Sequence, residues 1–462
     1  MIYLFALSAI LVATFFGFLF LRLLDREKKL GILEGLGLSY GLGLGIIAII
    51  MTSLSLAGVS FNIFNILMPF ILIIALGGIF NKIFPKPEKA CLKVNLGREK
   101  INKLELFFLC AILFEISFAF FVSLIKPMES WDAVAHWGLK AKMLYFLKGL
   151  PLNLFSMPCI KDVVSTGDYP WLWPFSQNYI YNFIGCFDDF APKIITPFFF
   201  ASCLVIFYSI LRRINLKRLH AIIFTFFLAS IPHFNKYASN GYADLILGFY
   251  YSVGFLYLYL WFNESDRIYL LISAIFTALA CYVKCDGIFL AGISAMTFLS
   301  FILFGGVKNR GKIFKDFIFY ISILALLSLP MFLLKQITFA GLSHHTVNME
   351  MFSAFKLKNF WRIFPTMYAY QEQFFNIKSW NLTWVLFMVS VFLAFIRGTL
   401  FRKELKFLTF AIGLIFLAHI SLNIISREES ACLKALSRMF LHFLPLVVFF
   451  IARVFTLEES KT

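Results

Sequence analysis

Long apolar stretches recur from one end of the chain to the other, and short segments rich in lysine and arginine separate them. A helix of about 20 apolar residues is long enough to cross the hydrocarbon core of a bilayer. About thirteen candidate membrane helices run over 2–21, 36–58, 64–80, 104–125, 192–211, 219–233, 243–262, 268–283, 286–304, 316–334, 381–396, 407–425 and 439–455. The pattern therefore predicts an all-α fold, a polytopic transmembrane helix bundle.

The composition agrees with this class, because 61% of the residues are hydrophobic and only 15% are charged. A net charge of +17 could indicate a nucleic-acid-binding protein. However, the basic residues lie in short segments beside the apolar stretches, where the membrane surface accounts for them, so no nucleic acid partner is predicted. The eight cysteines form no Cys-x-x-Cys pair and several lie inside predicted spans, which indicates packing residues rather than a disulfide framework.

The distribution of positive charge predicts the orientation of the bundle. Placing the N-terminus outside assigns to the inner face the segments 22–33, 81–103, 212–218, 263–267, 305–315 and 397–406 together with the C-terminal tail. These segments are denser in lysine and arginine than the outer ones, as the positive-inside rule requires. Two outer segments, 126–191 and 335–380, are long enough to fold over the mouth of the bundle. We therefore predict a working surface that faces the periplasm or cell exterior from a plasma or inner membrane.

The first long outer segment carries Asp132, directly after the predicted span 104–125. A carboxylate at a membrane boundary is costly, which makes it a candidate functional group. Residues 133–148 predict an amphipathic helix lying along the membrane interface, with Val134, Trp137, Ala141, Leu144 and Tyr145 on its apolar face and His136, Lys140 and Lys142 elsewhere. The proline-containing stretch 151–174 predicts an ordered loop rather than another helix.

Further polar groups fall at the predicted outer ends of spans. They are Asp244, the pair Lys284 and Asp286, the dipeptide His344-His345, and Arg438 with His442. Each has a simpler interpretation as a helix cap, a snorkelling side chain or half of an ion pair, and Lys284 and Asp286 could pair with each other. His344-His345 is more typical of a solvated loop than of a metal site. Their placement on one side of the membrane nevertheless indicates a common site.

These segments resemble those of the C-type (GT-C) glycosyltransferases, which include protein O-mannosyltransferases and bacterial aminoarabinose transferases. The resemblance covers about 104–455 and is carried by Asp132 in the first external loop and by Tyr169-Pro170, Gly241-Tyr242-Ala243-Asp244, Lys284-Cys285-Asp286-Gly287 and Ser437-Arg438-Met439-Phe440-Leu441-His442. It implies a GT-C-like catalytic domain at 104–462, after three additional spans and a basic inner linker at 1–103. The chain departs from the family in lacking a WWDYG-like segment, and the usual acidic pair is reduced to Asp132 with Glu129 three residues earlier.

The resemblance implies transfer of a sugar from a polyprenyl-phosphate donor to a lipid, glycan or protein acceptor. Asp132 would be the catalytic base, with inversion at the anomeric carbon. Arg438 would either hold the donor phosphate or pair with Asp244 or Asp286, and Lys284, Lys140 or His345 would be further phosphate ligands. Asp244 would bind sugar hydroxyls, and Trp131, Trp137 or Trp171 would form platforms for the sugar ring. The remaining candidate substrate-binding residues are Glu129, His136, Tyr169, Asp286 and His344.

Three other functions stay open at this point. A transporter or flippase also contains ionisable groups among its spans, although these usually lie near the bilayer midplane on broken helices. An O-antigen-type polymerase or ligase is likewise polytopic and active at the outer surface. A scaffold without activity would use its charges only to set topology. The sugar, the acceptor and the use of a divalent metal are not determined by the sequence.

Overall fold

The structure is a computed structural model that describes residues 1–83, 100–154, 169–305, 309–338, 361–425 and 429–459. Every regular element in these ranges is a helix. In the first half these are α1 (Ile2–Leu24), α2 (Ile32–Leu56), α3 (Ile63–Ile83), α4 (Lys103–Ile125), a π-helical turn (Ala133–Gly138) that continues into α5 (Leu139–Phe146), α6 (Leu172–Ile184), a 3₁₀ turn (Ala191–Ile194) that continues into α7 (Ile195–Arg213), α8 (Arg218–Ala229) and α9 (Pro232–Tyr237). The second half contains α10 (Asp244–Glu264), α11 (Arg267–Cys281), α12 (Asp286–Phe304), α13 (Arg310–Thr338), α14 (Ile363–Phe374), α15 (Ile377–Trp380), α16 (Thr383–Ile396), α17 (Lys403–Ile425), α18 (Glu429–Leu441) and α19 (Leu444–Glu459).

The helices are those of a multi-pass membrane protein. Within the described residues nine are long and apolar enough to cross a bilayer, or ten if the bent pair α18 and α19 forms one span. A helix occupies each of the thirteen predicted stretches, but α8, α11 and α16 contain 12, 15 and 14 residues. These three are shorter than a perpendicular span requires. The described residues therefore contain nine or ten candidate spans, and the predicted number of thirteen is not confirmed.

Burial identifies α10 as the central helix, because its whole apolar window lies inside the bundle. The window of α2 is 89% buried, and α2 packs against α7 and α13. By contrast, only 11% of the α3 window is buried. Apolar surface of this extent on a long helix is suited to contact with lipid tails. The first residue of α10 is Asp244, so one candidate site residue begins the most buried helix of the fold.

A buried ion pair lies toward the end of α10 opposite to Asp244. The Glu34 carboxylate accepts a hydrogen bond from Arg213 Nε at 2.7 Å and one from the Tyr257 hydroxyl at 2.5 Å. Arg213 also donates to the carbonyl oxygen of Lys29 at 2.7 Å. These contacts tie the α1–α2 connection to α7 and α10 and leave the charge of Glu34 compensated. This pairing was not predicted from the sequence.

The structure corrects two predictions for the first outer segment. Part of the predicted loop 151–174 belongs to α6, in which Pro174 is the third residue. Proline is tolerated there because the N–H groups of a first turn have no partner within the helix. Of the residues predicted to share the apolar face of the amphipathic helix, Trp137, Ala141 and Leu144 are buried, but Val134 is 47% exposed. A π-helical turn contains more residues than an α-helical one, which rotates Val134 off the apolar face.

Candidate functional site

Asp132 and Arg438 form an ion pair at one end of the bundle. The guanidinium Nη1 of Arg438 contacts the Asp132 carboxylate, and His136 Nε2 lies 3.9 Å from the other carboxylate oxygen. Asp132 precedes the π-helical turn and Arg438 lies in the last turn of α18, so the fold joins two distant parts of the chain. Their side chains are 24% and 27% exposed, which leaves the pair open to a ligand from solvent.

Tyr242 supports this ion pair from the segment before α10. The guanidinium carbon of Arg438 lies 5.6 Å from the centre of the Tyr242 ring, within range of a cation–π contact. Burial raises the pKa of Tyr242, and the Asp132 carboxylate raises it further. The phenol is therefore neutral near pH 7 and can donate or accept a hydrogen bond beside Asp132.

A second cluster surrounds Asp244, which is only 2% exposed. Its Oδ1 atom accepts a hydrogen bond from Lys284 Nζ at 2.8 Å and lies 3.0 Å from His442 Nε2. Lys284 Nζ is also 3.3 Å from Asp286 Oδ2. Burial disfavours the Lys284 ammonium, but the Asp244 and Asp286 carboxylates outweigh burial and raise the pKa of Lys284. Lys284 is thus held by the two carboxylates, and its charge compensates that of Asp244.

The break between α18 and α19 joins the two clusters. Arg438 and His442 are one helical turn apart, and the chain bends by 54° between residues 435–441 and 444–457. Gly248 lies one turn after Asp244 on α10, where an added Cβ would be only 2.7 Å from the carbonyl oxygen of Leu441. Glycine therefore lets the break approach α10 closely enough for His442 to reach Asp244.

We expect Gly248→Ala to lower the melting temperature and to separate His442 from Asp244, because the added Cβ would lie 2.7 Å from a backbone oxygen that cannot move freely. Gly413→Ala is the matched control, since an added Cβ there meets nothing within 4 Å. The control should be neutral or stabilising by about 0.5–1 kcal/mol, the usual advantage of alanine over glycine inside a helix. Equal melting temperatures for the two variants, measured in the same detergent, would contradict this packing.

Lys140, which was predicted to lie off the apolar face and to be a possible phosphate ligand, is buried in an aromatic box. It is 1% exposed, and its ammonium lies 4.9 Å from the Trp171 ring centre and 5.7 Å from that of Trp137. It also donates to the carbonyl oxygen of Tyr169 at 3.4 Å, and the rings of Trp137 and Tyr169 stack at 5.5 Å. Of the three tryptophans predicted as sugar platforms, Trp137 and Trp171 are buried and Trp131 is 75% exposed. Only Trp131 presents an open face beside Asp132.

The remaining predicted site residues lie in different settings. Glu129 is exposed and pairs with Lys126 at 3.4 Å. His136 Nδ1 is buried and has no hydrogen-bond partner among the described residues. Burial lowers the pKa of His136, Asp132 opposes this, and the positive charges of Lys140 and Arg438 lower it further, so the imidazole is neutral at pH 7. His344 and His345 lie outside the described residues.

The described part of the chain holds no group of three histidine, cysteine, aspartate or glutamate residues arranged to bind a metal ion.

His442 and Tyr242 were not assigned roles from the sequence, although both lie within quoted segments. The four-residue spacing between Arg438 and His442, about one helical turn, is the signal that indicates that the two side chains lie near each other.

Comparisons with protein-family models, with curated protein sequences and with solved structures gave no match. The likeness to C-type glycosyltransferases therefore rests on the sequence segments quoted above.

Proposed function

We propose that this protein is a membrane glycosyltransferase that transfers a sugar from a polyprenyl-phosphate-linked donor to an acceptor hydroxyl at the external or periplasmic face. The Asp132–Arg438 ion pair is the observation that supports this most strongly. It combines a carboxylate suited to general-base catalysis with a guanidinium suited to phosphate, both partly open to solvent. Trp131 adds an exposed aromatic surface beside them.

The proposed reaction begins with an exchange of partners at Arg438. The donor phosphate takes the place of the Asp132 carboxylate on the guanidinium, and Asp132 is released. Asp132 then accepts the proton of the acceptor hydroxyl while the acceptor oxygen attacks the anomeric carbon of the sugar. The bond from that carbon to the phosphate oxygen breaks, and polyprenyl phosphate leaves with the electron pair. Attack opposite the leaving phosphate inverts the anomeric configuration.

The buried cluster supports this arrangement through its ion pairs. Lys284 is held by Asp244 and Asp286, so it cannot turn toward a substrate without leaving a carboxylate buried and unpaired. We therefore assign Lys284 to the support of the site, and Arg438 to direct contact with phosphate. Asp286, whose side chain is 34% exposed, is the member of this cluster able to bind a sugar hydroxyl.

The affinity for polyprenyl phosphate, the product, tests the role of Arg438. We expect Arg438→Ala to weaken binding by about 1.5–3 kcal/mol, the usual contribution of a hydrogen bond to a charged group. Binding is measured on the full-length protein in detergent, beside the melting temperature of the same sample. Lys126→Ala, which removes an exposed cation from the same outer segment, should leave the affinity unchanged.

The opposite pattern would assign Arg438 a different role. If Arg438 serves only to compensate Asp132, Arg438→Ala should lower the melting temperature, and the dissociation constant for polyprenyl phosphate should stay at the wild-type value. A stable variant with unchanged affinity would remove Arg438 from both roles.

One observation favours a transporter as the second candidate function. The helix break between α18 and α19 places His442 against Asp244 among the membrane helices, and discontinuous helices of this kind form substrate sites in transporters. Proteoliposomes distinguish the two functions. A transporter would move a labelled polyprenyl-phosphate sugar between leaflets intact, whereas a glycosyltransferase would convert it to polyprenyl phosphate.

A further inference from the structure

Lys193 is a buried cation outside the two clusters of the candidate site. It lies in the 3₁₀ turn before α7, and its side chain is 2% exposed. Its ammonium donates to the carbonyl oxygen of Lys126 at 2.9 Å and to that of Pro127 at 3.0 Å. These carbonyls follow directly after the last residue of α4. The carbonyl of the C-cap residue Lys126 and that of Pro127 beyond it have no partner within α4, and Lys193 supplies one from a neighbouring element.

The segment just before this 3₁₀ turn also binds the next residue along the chain, Met128. The Met128 amide donates to the carbonyl oxygen of Asp189 at 3.2 Å. The Asp188 carboxylate accepts hydrogen bonds from the amides of Phe190 at 2.9 Å and Ala191 at 2.6 Å, which fixes the turn that carries Lys193. Residues 126–128 are thus attached at three points, a few residues before Asp132.

The loop that leads to Asp244 also packs against the turn that carries Lys193 and against the segment that carries Asp132. Gly241 has a φ of +79°, which favours glycine, and an added Cβ would lie 3.2 Å from Cβ of Ala133 and 3.8 Å from Cγ of Lys193. The carbonyl oxygen of Gly241 accepts a hydrogen bond from Trp173 Nε1 at 2.9 Å. Lys193 therefore lies where the Asp132 segment touches the segment that carries Tyr242 and Asp244.

Burying an ammonium group costs free energy, so a lysine that only filled space would be unfavourable at this position. Among the described residues no carboxylate forms an ion pair with Lys193, and the contacts of its ammonium are to backbone carbonyls. The partial negative charge at the C-terminal end of α4 favours a cation there. We infer that Lys193 is a positioning residue that holds the end of α4 so that Asp132 reaches Arg438. The reaction it serves rests on the proposed function, whereas the positioning itself does not.

Hydrogen exchange of the full-length, detergent-purified protein tests this inference without an activity assay. We expect Lys193→Met to speed exchange in residues 126–132 by about 10-fold or more, while α10 keeps its protection. Lys193→Arg retains the charge and donors and should restore most of the protection. Lys236→Met removes an exposed lysine and serves as the control. If Lys193→Met does not fold, Lys193→Gln is measured in the same way.

Unchanged exchange in residues 126–132 in the neutral variant, or an equal increase throughout α10, would overturn the inference. In the transfer assay Lys193→Met should lower kcat by about 10-fold with the donor KM within about 2-fold, because an acid–base group is misplaced while phosphate binding is kept. Lys193→Arg should recover kcat. If the wild-type protein shows no transfer, the proposed function fails, and hydrogen exchange still decides the role of Lys193.

Discussion

Asp132→Asn is expected to lower the rate of sugar transfer by about 10²–10⁴-fold, the usual effect of losing a general base. The amide keeps the shape of the carboxylate but cannot accept the proton of the acceptor hydroxyl. Because the variant also removes the anion that pairs with Arg438, the donor should bind at least as tightly as to the wild-type protein. Loss of turnover with retained or improved donor affinity is therefore the expected combination, measured by single-turnover kinetics and equilibrium binding.

Glu129→Gln is the matched control for Asp132→Asn. Glu129 lies three residues earlier, is exposed, and pairs with Lys126, so its loss should have a small effect on transfer. Wild-type turnover in Asp132→Asn would exclude Asp132 as the base. Equal losses in both variants would show that the negative charge of the segment matters, rather than a base at position 132.

Lys284→Met is expected to destabilise the protein by about 3–5 kcal/mol, because it leaves the Asp244 carboxylate buried without its cation. The double variant Lys284→Met/Asp244→Asn should recover much of this loss, since neither charge then remains buried. The carboxylates raise the pKa of Lys284 above its ordinary value of 10.5. Its contribution to stability is therefore complete below about pH 10.5 and is lost only as the pH rises through the higher value in the folded protein.

Denaturation in mild detergent, followed at pH 7 for both variants, checks this prediction. If Lys284→Met leaves stability intact and instead weakens the binding of polyprenyl phosphate, Lys284 binds substrate, as the resemblance to C-type glycosyltransferases implies. The ion pairs with Asp244 and Asp286 are then not required for folding.

The hydrophobic pattern predicted where helices form, because burial in a membrane requires long apolar stretches whatever the tertiary arrangement. It could not predict α6, where Pro174 indicated a loop, because a proline in a first turn leaves no mark that distinguishes it from a helix breaker. The predicted number of spans is not confirmed, since an apolar stretch of 12 to 15 residues can also be a buried helix that does not cross the bilayer.

The sequence placed Asp132, Asp244, Lys284, Asp286 and Arg438 at a common end and allowed Lys284 to pair with Asp286. It did not predict the pair of Lys284 with Asp244 or that of Arg438 with Asp132. Arg438 was expected to bind phosphate or to pair with Asp244 or Asp286, and in the structure it pairs with Asp132. Helical periodicity also does not show the bend between α18 and α19, at which His442 lies.

Lys193 was missed for a related reason. A lysine at the end of a span resembles a residue that only sets topology, and its partners are backbone carbonyls, which carry no sequence signature.

Release of polyprenyl phosphate tests the proposed function most directly. Purified full-length protein, reconstituted with radiolabelled polyprenyl-phosphate sugars and an extract of lipid, glycan and protein acceptors, is followed for free polyprenyl phosphate and for label on an acceptor. The proposal predicts that the wild-type protein forms the two in equal amounts and that Asp132→Asn forms neither. Intact donor in every reaction, or donor that crosses the bilayer without losing its sugar, would contradict it.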